Sequence, residues 1–241
     1  MDNNIQYKQF GGSSAESNAA ARAKAQSTFM SGVYQWMALA LGLSGLIAWL
    51  TANSPVARTF IFRNPIVLIA LFIGEIALVW WLSASIRKIT VRAAVIAFIA
   101  YSALNGVTLS SIFLVYTGAS IARVFGITAF MFIAMSFYGM KTRSDLSSMG
   151  RYLMMAVIGI IIAGLVNFFL ASSALDIALS MITVLVFTGL TAYDSQKLLA
   201  AARNADGSEN WRKLAIIGAL ELYLDFINIF LALLRLYGRR N

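Results

Sequence analysis

Residues 152–171 read Tyr-Leu-Met-Met-Ala-Val-Ile-Gly-Ile-Ile-Ile-Ala-Gly-Leu-Val-Asn-Phe-Phe-Leu-Ala, with one asparagine and no charge. A helix rising 1.5 Å per residue needs about 20 such residues to cross roughly 30 Å of hydrocarbon. Outward from this stretch, six more apolar runs bounded by charge clusters occupy residues 29–51, 65–86, 93–116, 121–140, 177–196 and 214–237. Open sheet edges cannot be satisfied in lipid, so the pattern predicts an all-α membrane protein with seven transmembrane helices in a single domain, residues 29–241. The polar, Asn-, Ser-, Gly- and Ala-rich residues 1–28 are expected to form a disordered cytoplasmic tail.

Composition agrees. The 241 residues are 60% hydrophobic and 12% charged, about half the usual share for a soluble domain. Histidine and cysteine are absent, which removes zinc fingers, thiolate nucleophiles and Ser-His-Asp triads. The net charge of +9 sorts by side of the membrane. Thirteen Lys and Arg fall in the tail and the connections around Arg87, Lys141 and Lys197, whereas Arg58, Arg63 and Arg123 alone occupy the alternate connections. The excess therefore reads as topology rather than nucleic-acid binding, with the N-terminus cytoplasmic. Arg235, Arg239 and Arg240 run against the rule at the C-terminus.

Four of the ten acids, Glu75, Asp194, Glu221 and Asp225, interrupt apolar runs. A charged acid at the centre of a span costs about 2.5 to 3.5 kcal/mol on insertion scales, so these carboxylates require partners, water or protons. Counting rise per residue puts Glu75 and Asp225 both near the midplane, where they could meet, and Asp194 nearer the cytoplasmic side. Glu221 and Asp225, four apart, share a helix face. Asn105 and Asn167 read as hydrogen-bonding glue between helices, and the pairs Ala38/Gly42 and Gly159/Ala163 as close helix packing.

The stretches Ala-Tyr-Asp-Ser-Gln (192–196), Leu-Tyr-Leu-Asp-Phe-Ile-Asn-Ile-Phe (222–230), Asn-Gly-Val-Thr-Leu-Ser (105–110) and Gly-Glu-Ile (74–76) closely resemble the Bax inhibitor-1, or transmembrane Bax inhibitor motif, family. The resemblance is to a bacterial member, which implies the cytoplasmic (inner) membrane. It further implies six helices in two three-helix layers around a central C-terminal helix. It also implies a pH-sensitive, calcium-permeable leak channel rather than an enzyme. In that reading Asp194 and Asp225 are the proton-sharing, pH-sensing pair, Arg87 is the gate latch, and Glu75 and Glu221 line the ion pathway. Calcium is the permeant ion, held weakly and transiently by Glu75, Asp194 and Asp225, and no cofactor is expected. Two carboxylates at hydrogen-bond distance in a poorly solvated site titrate as one coupled unit, a proton switch that needs no histidine. The alternative is an interaction protein that modulates a membrane-bound protease or another membrane partner, and a proton-coupled transporter would also need midplane acids.

A membrane-impermeant label applied to intact cells is expected to leave the N-terminus unmodified; labelling from outside would reverse the assigned topology.

Overall fold

Both prolines of the chain start helices rather than break them. The computed structural model describes the backbone of residues 3–86, 88–203 and 208–241, and side chains from residue 20 onward within those ranges. Pro55 opens the short α2 (Pro55–Phe62) and Pro65 opens α3 (Pro65–Ser85), each at a first-turn position whose missing N–H costs nothing. The other helices are α1 (Asn3–Asn53), α4 (Val91–Val115), α5 (Gly118–Lys141), α6 (Ser147–Leu170), α7 (Ser173–Ala202) and α8 (Glu209–Tyr237). Seven of the eight are long and apolar enough to cross a membrane. Ser54, Thr90, Thr117 and Ser172 cap their helices by accepting backbone N–H groups of the first turn.

Three features depart from the hydrophobic runs. The backbone is helical from Asn3, so the polar stretch expected as a tail is continuous with the first span; its Ala-rich part, residues 19–25, favours helix, and among the described side chains the first buried one is Phe29. The connection after α1 contains α2, which buries Ile61 while Val56 and Phe60 stay exposed, and which is too short to register as a span. Finally, α7 continues six residues past the run that marks it and α8 begins five residues before its run. A charge ends an apolar window but not a helix.

Packing follows the amount of polar surface each helix must hide. Helix α8 is the centre, with sixteen buried residues, and it touches α1, α4, α5 and α7. In one layer α4 packs between α1 and α3; in the other α7 packs between α5 and α6. The outer helices α3 and α6 face away from the core, with Ile66, Trp80, Phe168 and Phe169 each at least 74% exposed, as suits side chains meant for lipid.

The ends of α8 are tied. At its start Glu209 accepts the Val91 N–H (3.3 Å), and the Lys213 ammonium, buried, donates to the Ile89 carbonyl (3.1 Å). At its finish the Thr117 N–H donates to the Arg239 carbonyl (3.1 Å) and the Asn241 N–H to the Val115 carbonyl (3.0 Å). The last helix therefore runs the full distance to the α4–α5 connection, and Arg235, near Asp176 at 3.9 Å, lies at the end opposite the basic connections.

The close helix approaches lie at other glycines than those singled out above. Nothing comes within 4 Å of a Cβ built at Gly42 or Gly159. Instead a Cβ at Gly106 would stand 2.7 Å from the Ser44 carbonyl oxygen, where α4 crosses α1, and one at Gly139 would overlap the Ala192 carbonyl, where α5 crosses α7. Each layer is thus closed at one glycine where two backbones touch. Asn167 acts locally, its side chain accepting the Ser172 N–H (3.1 Å) across the α6–α7 turn beside Ala171 at φ 49°, rather than joining packed helix faces as expected. Gly106→Val and Gly139→Val are each expected to cost about 3 kcal/mol or more of stability, whereas Gly159→Ala is expected to be neutral; thermal unfolding of the purified protein in detergent measures the difference.

Candidate functional site

Two polar clusters border α8 on different sides, and they divide the four intramembrane acids between them. The first is centred on Tyr223, which is fully buried. Its hydroxyl donates to Asn105 Oδ1 (2.9 Å) and lies 2.7 Å from Ser44 Oγ, which in turn bonds to the Ser102 carbonyl (2.7 Å). Asn105 Nδ2 reaches Glu75 Oε2 at 3.5 Å, and the Thr108 hydroxyl donates to Glu75 Oε1 at 2.6 Å. Phe98 and Tyr101 pack edge-on against the Tyr223 ring. Burial makes such a network useful only when its members are satisfied, and this one joins α1, α3, α4 and α8. Glu75 is thereby linked to the central helix through α4.

The second cluster lies at the basic end, between α7 and α8. Lys197 Nζ is 2.7 Å from Glu221 Oε1 and 3.6 Å from Asp194 Oδ1. Asp225 lies within electrostatic range of Asp194, Glu221 and Lys197. It is 3% exposed, and its Oδ2 has no hydrogen-bond partner among the described residues. Beside Asp194, the buried Ser195 hydroxyl is 2.7 Å from that of Ser136, which also meets the Tyr34 hydroxyl, so α1, α5 and α7 are joined by neutral groups there. The Lys197 ammonium is the cation of this cluster among the described residues. It is partly exposed, which limits the strength of its ion pairs.

This geometry corrects the depth estimate. Glu75 and Asp225 do not meet, because Glu75 is bound through α4 to Tyr223 while Asp225 is surrounded by the charges of α7 and its own helix. Asp194, which rise per residue left apart from Asp225, is the acid brought to it. Glu75 also stands outside any ligand set shared with the two aspartates, and no group of three or more acids able to hold a metal occurs among the described residues. Arg87 lies outside the described residues. From residue order alone Lys197 counts only toward topology. Its position three residues after Asp194, on the same helix face, was the available signal.

The family model described as "Inhibitor of apoptosis-promoting Bax1" matches residues 26–241. The chain is 52% identical over 216 residues to the inner membrane protein YbhL of Escherichia coli, covering 89% of this chain and 92% of that one. An uncharacterized protein of Borreliella burgdorferi is 44% identical over 88% of this chain and 92% of its own length, and an uncharacterized membrane protein of Streptococcus pyogenes 37% over 88% and 93%.

Tyr223→Phe is expected to lower stability by about 1 to 2 kcal/mol, because it leaves Asn105 Oδ1 and Ser44 without their buried partner. Glu75→Gln keeps an acceptor for Thr108 and is expected to leave the unfolding temperature near that of the wild type. Thermal unfolding in detergent distinguishes the two.

Proposed function

This chain belongs to the Bax inhibitor-1 family, and from that premise we propose that it is a pH-sensitive, calcium-permeable leak of the bacterial inner membrane, with its N-terminus in the cytoplasm. The observation that carries the reading is the buried Asp225 oxygen without a partner among the described residues, set among Asp194, Glu221 and Lys197. An ionised carboxylate buried without donors is costly, so the position is comfortable only with a proton or a cation. Those are the two species that a pH-gated cation path must handle.

The closed state is held at the basic end by Lys197, which joins Asp194 and Glu221 across α7 and α8. Acid neutralises the carboxylates, the ammonium loses its partners, and the two helices are free to part there. The groups that set this balance are Tyr193, Asp194 and Lys197 on α7 and Glu221 and Asp225 on α8; the facing side chains from α1 and α5, Tyr34 and Ser136, are neutral. Arg87 retains its latch role by resemblance alone. Deeper in the membrane Glu75 serves the cation on its way, and hard oxygen donors such as these carboxylates and hydroxyls suit calcium passing through weak, successive contacts.

In liposomes loaded with a calcium dye, Asp194→Asn and Asp225→Asn are each expected to flatten the dependence of flux on pH between about pH 5 and 8. An unchanged profile in both rejects the shared proton. Lys197→Ala is expected to leak severalfold more than wild type at alkaline pH, and a tight alkaline variant rejects the tie while leaving the pair standing.

A further inference from the structure

At the basic end, beside the second cluster and sharing Lys197 with it, a cavity of about 720 Å³ opens between the last turn of α5, the α5–α6 connection and the last turns of α7. Among the described residues four cations line it, Lys141, Arg143, Lys197 and Arg203, against one acid, Asp145. Charge at this end is expected from topology, but topology scatters Lys and Arg and does not gather them into a concave wall. Among the described residues Arg143 and Arg203 have no ion pair, and Lys141 lies over the Phe137 ring at 5.9 Å. Asp145 is engaged elsewhere: its Oδ1 accepts the Ser147 N–H at 2.9 Å, and bonds from the Ser147 N–H and hydroxyl hold its carboxyl below the usual carboxylate range.

The wall is also built in advance. Gln196 clamps the connection from α7, accepting the Leu146 N–H (2.9 Å) and donating to the Ser144 carbonyl (2.8 Å), while Thr142 Oγ1 accepts the Ser144 N–H (3.3 Å). The Tyr193 ring lies so close to Gly150 that a Cβ there would stand 2.6 Å from it, which seats the start of α6 directly on α7. That start has Leu146 at the cap position, and because the Asp145 carboxylate already accepts the Ser147 N–H, the anion site rests on the side-chain cations rather than on the helix end.

We propose that this cavity is a binding site for a phosphate-bearing anion, recognised by the guanidinium groups of Arg143 and Arg203 with Lys141 and Lys197 completing the wall. Planar guanidinium forks match phosphate oxygens in pairs, and two of them with two ammonium groups suit a phosphate ester better than a lone carboxylate. The volume falls in the range of small-molecule sites and leaves room for a group beyond the phosphate itself. A soluble nucleotide and an anionic lipid headgroup both present that chemistry at the membrane surface. Lys197 belongs to this wall and to the Asp194–Glu221 tie alike, so an anion here competes for its ammonium. That consequence rests on the proposed leak, whereas binding itself does not.

The test measures binding and not flux. Purified protein in phosphatidylcholine nanodiscs is titrated with ADP by calorimetry, and protein purified in detergent with phosphatidylglycerol is examined by native mass spectrometry for retained lipid. Wild type is expected to bind at least one probe. Arg143→Gln/Arg203→Gln should lose about tenfold in affinity or retention, and Arg151→Gln/Arg212→Gln, which removes the same charge at the same end outside the cavity, should lose little. Binding of ADP identifies the soluble source and retention of phosphatidylglycerol the lipid. Should the double variant fail to fold, Arg203→Gln alone, on the exposed end of α7, should lose about threefold. Wild type that binds neither probe, or equal losses in the two double variants, overturns the site.

Discussion

A carboxylate inside hydrocarbon must be given something to interact with, and the arrangement of helices follows from supplying it. Helix α8 carries Glu221, Tyr223, Asp225 and Asn228 within its apolar stretch, so it is the helix least able to face lipid. Surrounding it takes four neighbours, α1, α4, α5 and α7, and these in turn are the helices that bring Ser44, Asn105, Ser136 and Asp194. Helix α6, without an acid and uncharged from Tyr152 onward, has little to hide, and of its residues Gly150 alone is buried. Helix α3 is intermediate. Its single acid, Glu75, is met by Thr108 and Asn105 from α4, and that suffices to orient an otherwise lipid-facing helix.

The two layers repeat one plan, with the third helix in the middle and the first crossing it at a glycine. Each layer has three spans, an odd number, so the second enters the membrane from the side where the first leaves it. The halves are thereby inverted about the membrane plane, an arrangement also known in transporters whose sites lie between such repeats. Here the element between the repeats is α8, and both polar clusters adjoin it.

Much of this could be read from residue order because a lipid environment allows few alternatives. The uncharged run at 152–171 and its six counterparts identified the seven spans, and the acids that interrupt three of those runs marked the polar clusters. What escaped was whatever depends on angle rather than on depth. Rise per residue places Glu75 and Asp225 at one level but does not say that Glu75, on α3, is linked to α8 through Tyr223 while Asp225 faces the charges of α7. Nor does a count of small residues reveal which glycine meets a neighbouring backbone; Gly42 and Gly159 share the spacing, yet Gly106 and Gly139 make the contact. Lys197 was hidden for another reason: it counts as a loop charge when an apolar window ends before it, and becomes a site residue only because α7 continues to Ala202. The short α2 and the turn bond made by Asn167 are local features whose signals are weaker than a span's.

The most direct test of the central claim uses the unaltered chain. Liposomes of defined lipid, loaded with a calcium dye and carrying the purified protein, are given external calcium and then a step to acidic pH. The account predicts calcium entry above that of empty liposomes, rising on acidification and reversing when alkaline pH is restored. Calcium entry indistinguishable from empty liposomes at every pH would contradict it.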